Sequence, residues 1–170
     1  LPKDTDRLKF INNVLNTISD TKNIFRIEGV THELGLEGCR LAHIKANIAA
    51  INHGSQYYII AEDDIQPLVE SSEITKFIEN STQFKPDLVL FEQGQDLEKN
   101  IDLVKETENM YRIFGGGNNT GCYMCSREFG IKLVKHWLAH PRQHVDHSWQ
   151  KLWKTHKVYN SIQVSNLGNV

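Results

Sequence analysis

Apolar positions along the chain switch between helical and strand-like spacing. Leu8, Ile11, Val14, Leu15 and Ile18 recur every three or four residues, and Asp6 can cap the helix they predict, which ends near residues 19–22. Residues 23–28 alternate apolar and polar in the strand manner and stop at Gly29. After a loop holding Gly35 and Gly38, the stripe Leu41, Ile44, Ile48, Ile51 predicts a helix over 38–53, with Gly54 at its C-terminal cap. The run Tyr57-Tyr58-Ile59-Ile60-Ala61 predicts a strand that leads straight into Glu62-Asp63-Asp64.

A short helix over 72–80 and an apolar strand over 87–91 follow, and the polar, poorly periodic stretch 93–110 reads as a long excursion with a turn of helix. Strands over 111–114 and 120–126 flank the turn-forming Gly115-Gly116-Gly117-Asn118-Asn119. Ser126 caps a helix whose buried face is Phe129, Leu133, Val134, Trp137 and Leu138, and which Pro141 stops. A short helix over 146–153 and a strand over 158–164 close the pattern. Strands alternating with helices predict an α/β domain with a mostly parallel sheet flanked by helices on both faces. With no repeat or linker, residues 1–170 read as one domain.

Composition narrows the function classes. The 170 residues are 39% hydrophobic and 24% charged, with 19 basic against 21 acidic side chains, an ordinary globular balance. A formal charge of −2 lacks the basic excess of a nucleic-acid binder. No apolar run approaches the ~20 residues of a transmembrane segment. The opening Leu1-Pro2-Lys3-Asp4 has neither Met nor leader features, so the chain is expected to be trimmed or processed from a longer one. Three cysteines, Cys39, Cys122 and Cys125, suit a reducing compartment, and a cytoplasmic location is expected, with a secretory lumen or a viral factory as alternatives. Cys122 and Cys125 match C-x-x-C, but on a strand they point to opposite faces, as structural thiols do. Residues 80–82 and 118–120 are formal N-glycosylation acceptors, relevant only in a lumen.

Three segments carry candidate chemistry. Glu62, Asp63 and Asp64 fall at the C-terminal end of a strand, where α/β sheets bind ligands, and adjacent carboxylates invite a hard cation; a solvated turn is the plainer reading. Gly115, Gly116 and Gly117 let backbone N–H groups approach a phosphate or a sugar, although a flexible hairpin explains them equally and no P-loop lysine follows. His144, Asp146 and His147 offer a general base or metal ligands. His43 and Lys45, on either side of Ile44, fit a solvated helix face.

In order along the chain, Gly38-Cys39-Arg40-Leu41-Ala42-His43-Ile44-Lys45-Ala46, Tyr57 to Ile65 with its Glu62-Asp63-Asp64, Thr120-Gly121-Cys122-Tyr123-Met124-Cys125-Ser126-Arg127 and Val145-Asp146-His147 resemble the successive motifs of glycosyltransferase family 25. That family holds lipooligosaccharide and collagen glycosyltransferases and viral relatives. The segment Leu1 to Arg7 resembles the family's opening, but the hydrophobic strand that precedes it there is missing. Ala42 departs from the family's Ser.

The resemblance implies a GT-A fold lacking its first strand, and a metal-dependent, inverting transfer of a sugar from a nucleotide-sugar donor, UDP-hexose in expectation. The implied acceptor is a glycan, lipooligosaccharide or glycoprotein. It implies Mn²⁺ or Mg²⁺ held by Glu62 and Asp64 as a D-x-D-like pair, with Asp64 the principal ligand and Asp63 and His147 as further ligands. It implies Asp146 as the base for the acceptor hydroxyl. Arg7, His43, Lys45 and the Gly115 to Gly117 loop would contact the nucleotide sugar. Trp137, Trp149 and Trp153 could stack on a sugar, but their helical spacing fits core packing better. Two other readings stand beside this one. One is a non-catalytic sugar-binding domain of the same fold. The other is a Mg²⁺ nuclease built on Asp87 and Glu92, which lacks the lysine such a site needs because Gln93 and Gly94 follow.

Overall fold

The structure is a computed structural model and describes residues 9, 12–13, 23–67, 69–92, 103–107, 110–114 and 120–167. The described elements begin with helix α1 (Gly35–His53), strand β1 (Tyr57–Ala61), strand β2 (Ile65–Pro67), helix α2 (Ser71–Thr82) and strand β3 (Leu88–Glu92). Strands β4 (Leu103–Thr107), β5 (Met110–Ile113) and β6 (Cys122–Ser126) follow, then helices α3 (Arg127–Ala139) and α4 (Val145–Trp149), a 3-10 segment (Gln150–Thr155) and strand β7 (Val158–Leu167). Gly54 ends α1 at φ +92°, a left-handed conformation that a residue with a Cβ adopts only under strain. Ser126 caps α3 by accepting from the Phe129 N–H.

One mixed sheet of seven strands runs β1-β6-β3-β7-β5-β4, with β2 also paired to β7. Its α/β class and flanking helices agree with the sequence reading. The expected mostly parallel pairing does not hold, because β3 with β7 is the one parallel pair among the described strands. β1 and β3 do run in the same direction, but β6 lies antiparallel between them, with Ile59 opposite Met124 and Val89 opposite Met124. Periodicity identifies strands and says nothing about which later strand is inserted between two earlier ones.

Two further expectations shift. The excursion over 93–110 carries a strand, β4, which forms a hairpin with β5. The strand expected over 23–28 does not form: residues 24–28 have no regular structure despite their alternation, since a strand pattern needs a neighbouring strand to pair with. The helix expected before them lies largely outside the described residues, although 9, 12 and 13 are helical.

Helices cover both faces of the sheet. On one face Leu88, Leu90, Tyr123, Cys125 and Val158 meet Ile44 of α1, Phe129, Leu133 and Trp137 of α3, and Trp149 and Trp153. On the other, Val89, Phe91, Cys122, Met124 and Tyr159 meet Ile74, Phe77 and Ile78 of α2. Strand alternation thus sends Cys122 and Cys125 to opposite layers. Burial pushes the Cys125 thiol up to about 12, which makes it inert. All three tryptophans are fully buried, so they are core and present no face to a sugar. No helix among the described residues is long and apolar enough to cross a membrane.

Candidate functional site

The site is assembled where the end of β1 meets α1. The β1–β6 ladder pairs Ala61 with Cys122 and continues one step further, as the Glu62 N–H donates to the Gly121 carbonyl. That register sets Glu62 beside Thr120, whose hydroxyl donates to Glu62 Oε1 at 3.2 Å. From α1, His43 Nε2 reaches the same oxygen at 3.1 Å.

His43 belongs to a buried polar chain. Its Nδ1 lies 3.2 Å from the Tyr123 hydroxyl, and the Asn47 amide donates to that hydroxyl at 2.8 Å. The same amide nitrogen donates to the His43 carbonyl, while Asn47 Oδ1 accepts from the Tyr58 hydroxyl at 2.6 Å. A continuous hydrogen-bonded chain therefore links Tyr58, Asn47, Tyr123, His43 and Glu62. Asn47 and Tyr123 are fully buried, and in such surroundings polar groups are stable only when partnered, as these are. Burial raises the Tyr58 and Tyr123 hydroxyls above their usual range, so both remain protonated.

Electrostatics at the head of this chain favour an ion pair. Burial by itself lowers the His43 imidazolium, but hydrogen bonds to Cys39 and Glu62 and their charges outweigh it and raise the group to about 9. The hydrogen bond from His43 lowers Glu62 against its own burial. Glu62 is thereby held as a carboxylate in a fixed orientation. Cys39, one turn before His43 on α1, completes a trio: among the described residues, one ligand atom each from Cys39, His43 and Glu62 lie within 4.8 Å of one another.

The expected site residues fall in several places. Asp63 and Asp64, both half-buried, form the turn between β1 and β2 directly after Glu62. His43 is 4% exposed, so the solvated-face reading is corrected for it: its nitrogens serve Glu62 and Tyr123. Lys45 is exposed and donates to the Glu28 carbonyl at 3.1 Å. Asp146, in the first turn of α4, accepts from the His147 N–H at 2.9 Å, and His147 is exposed. Arg7, Gly115, Gly116 and Gly117 lie outside the described residues.

Sequence reasoning passed over Cys39, Asn47, Tyr58, Thr120 and Tyr123. Cys39 was within reach of it, because a Cys and a His four apart on a helix share one side. Thr120 and Tyr123 were not, since their approach depends on the β1–β6 register.

No family model matches the sequence, and no curated protein matches it. Solved structures do share the fold. One is UDP-glucose pyrophosphorylase complexed with UDP-glucose, with a TM-score of 0.55 at 10% identity, covering 97% of this chain and 66% of that one. Another is apo UDP-glucose pyrophosphorylase, with a TM-score of 0.53 at 9% identity, covering 79% of this chain and 55% of that one. At such identities the likeness concerns the fold alone. The chain shares the α/β fold of these structures, and it spans between half and two thirds of their length.

Proposed function

We propose that the protein is a glycosyltransferase that uses a nucleotide-sugar donor, UDP-hexose in the first instance, with Mn²⁺ or Mg²⁺. The observation that carries this reading is the position of Glu62, Asp63 and Asp64. They follow β1 at its C-terminal end, in a sheet with the fold of nucleotide-sugar enzymes, and Glu62 is held there as an oriented carboxylate. The solved structures named above act on, or hold, UDP-glucose, which supports a nucleotide-sugar ligand without specifying the reaction.

The donor chemistry fits a hard cation. These are oxygen ligands, and Mg²⁺ or Mn²⁺ in phosphate-handling sites takes one or two carboxylates and fills its remaining positions with phosphate oxygens and water. Asp64 and Glu62 would hold the ion, with Asp63 and His147 as further ligands. Once bound, it would neutralise charge on the leaving nucleoside diphosphate. The chain's own residues do the rest. His43 and Thr120 keep Glu62 ionised and aimed, so His43 acts through Glu62. Lys45, Arg7 and the Gly115 to Gly117 loop bind the nucleotide sugar. Asp146 accepts the proton of the glycan or glycoprotein hydroxyl as it attacks with inversion.

The test is thermal unfolding of the chain with a panel of UDP- and GDP-sugars, with Mn²⁺ or with chelator, followed by product analysis. Ligand at 100 times its Kd adds about 2.7 kcal/mol. A Mn²⁺-dependent rise with one donor, lost in Asp64→Ala, and release of nucleoside diphosphate on transfer or slow hydrolysis support the reading. Pyrophosphate-dependent release of nucleoside triphosphate would replace it with a nucleotidyltransferase. Binding with no turnover would leave a sugar-nucleotide binding domain.

A further inference from the structure

Cys39 and His43 stand one helical turn apart on α1, and the extended β1–β6 ladder brings Glu62 up to them from the sheet. We propose that Cys39, His43 and Glu62 form a binding site for Zn²⁺, one that clips helix α1 to the C-terminal end of β1. The inference is independent of the transferase reading, although both use Glu62.

Four observations support it. The first is donor chemistry: thiolate, imidazole and carboxylate are the three ligand types that Zn²⁺ accepts, whereas the harder Mg²⁺ and Mn²⁺ do not select a thiolate. The second is spacing. Ligand atoms of all three residues lie within 4.8 Å of one another, and His43 Nε2 is 3.1 Å from Glu62 Oε1. Two ligands about 2.1 Å from a tetrahedral zinc are about 3.4 Å apart, so an ion can take the place of the hydrogen between them with little movement.

The third observation is the set of groups behind the ligands. A zinc-bound histidine needs a partner for its other ring nitrogen, and a ligating carboxylate needs its own hydrogen bonds. His43 Nδ1 faces the Tyr123 hydroxyl, itself fixed by Asn47 and through it by Tyr58, and Glu62 is held by Thr120. Because a hydroxyl both donates and accepts, Tyr123 serves either tautomer of the ring. The fourth is access. Cys39 is exposed while His43 is buried, so the ion enters from the Cys39 side. Three protein ligands then leave a fourth position for water on that side.

Binding releases protons. Zn²⁺ displaces the thiol proton of Cys39 and the proton on His43 Nε2, and the bound imidazole is neutral, with its remaining proton on Nδ1 donated to Tyr123. No bond within the chain is made or broken.

The test titrates chelator-stripped protein with Co²⁺ as a spectroscopic stand-in and then displaces it with Zn²⁺. Wild type is expected to show a thiolate-to-cobalt charge-transfer band and the intense visible bands of a tetrahedral site, and both should vanish as Zn²⁺ is added. Cys39→Ser changes an exposed side chain, so it is expected to fold. It should lose the charge-transfer band and weaken Zn²⁺ binding by at least ~100-fold, more than an outer partner contributes. Thr120→Val should keep the band and weaken binding by ~10-fold or more. A weak octahedral cobalt spectrum in wild type, or the same spectrum in wild type and Cys39→Ser, overturns the proposal. The Mn²⁺-dependent shift with a nucleotide sugar, measured on Cys39→Ser, reports separately on the transferase reading, because that site needs no thiol.

Discussion

Helices α1 and α3 pack against each other on the same face of the sheet, yet they bury opposite chemistries. The buried side of α3 is Phe129, Leu133, Val134 and Trp137. The buried side of α1 is Arg40, His43, Ile44 and Asn47, with a single large hydrophobe among them. α3 is held by apolar area removed from water, which needs no particular partner. α1 is held by hydrogen bonds that have to be complete, because one buried polar group left without a partner costs about 1–3 kcal/mol, as much as a buried hydrophobe contributes. The difference teaches where to look for function: the helix whose inner face carries polar residues is the one that meets the site.

The largest change is expected where the two helices touch. Trp137 is fully buried on α3, its ring stands edge-on to His43 at 6.1 Å, and its carbonyl accepts from Arg40 at 2.7 Å. Trp137→Ala should cost about 3–5 kcal/mol, read by urea unfolding. A loss under about 1 kcal/mol would mean that the apolar side of the comparison is wrong.

Near-isosteric replacements sharpen the contrast next. Leu133→Met on α3 keeps volume and polarity and should cost less than about 1.5 kcal/mol. Asn47→Leu on α1 is similar in size but takes the Asn47 acceptor from the Tyr58 hydroxyl and leaves the Tyr123 hydroxyl with His43; at about 1–3 kcal/mol for the first and about 1 kcal/mol for the bond lost from the second, it should cost about 2–4 kcal/mol. If the two variants unfold alike, the polar chain is incidental packing. If Asn47→Leu is the worse, the chain is a structural element that also aims Glu62.

The pair Glu37 and Arg40 gives the comparison a pH axis. Arg40 is buried, donates Nε to Glu37 Oε2 at 2.9 Å and forms a second bond from Nη2 to Glu37 Oε1. The side-chain hydrogen bonds from Arg40 hold the Glu37 carboxyl at about 2 against a usual 4.5. A carboxyl depressed on folding stabilises the protein above its unfolded value, and that contribution is lost as pH falls from about 4.5 to about 2. Glu37→Gln should therefore lower stability at neutral pH and flatten the profile over that acid window. Equal slopes in the two proteins would show that the pair adds nothing.

Much of this was legible in the chain and some was not. The α3 face follows from the apolar pattern except for Leu138, expected to be buried but 58% exposed, and the Ser126 cap and the strands at 57–61 and 88–92 were legible too. The opposite facing of Cys122 and Cys125 follows from the strand repeat. The acidic run was visible at the end of its strand, but the side chains that aim Glu62 were not: Thr120 and Tyr123 arrive through an antiparallel register between strands some 60 residues apart in sequence. The insertion of β6 between β1 and β3 was hidden for the same reason, and residues 23–28 show the converse, a strand pattern with no ladder to join.

The smallest expected effect is the sharpest test of how α1 is read. Its apolar stripe, Leu41, Ile44, Ile48 and Ile51, points about 70° away from the buried face around Arg40, His43, Ile44 and Asn47, at about 100° per residue. Ile48 is accordingly 42% exposed and Ile44 is 6% exposed. Were the stripe the core face, Ile48→Lys would place a charge in the interior and unfold the domain. On the face the structure defines, the substitution meets solvent and should change stability by no more than about 0.5 kcal/mol. A thermal unfolding midpoint within a few degrees of wild type therefore fixes the rotation of α1 about its axis. With that rotation go Cys39, His43 and Asn47, since a helix turned to bury Ile48 would carry all three away from Glu62.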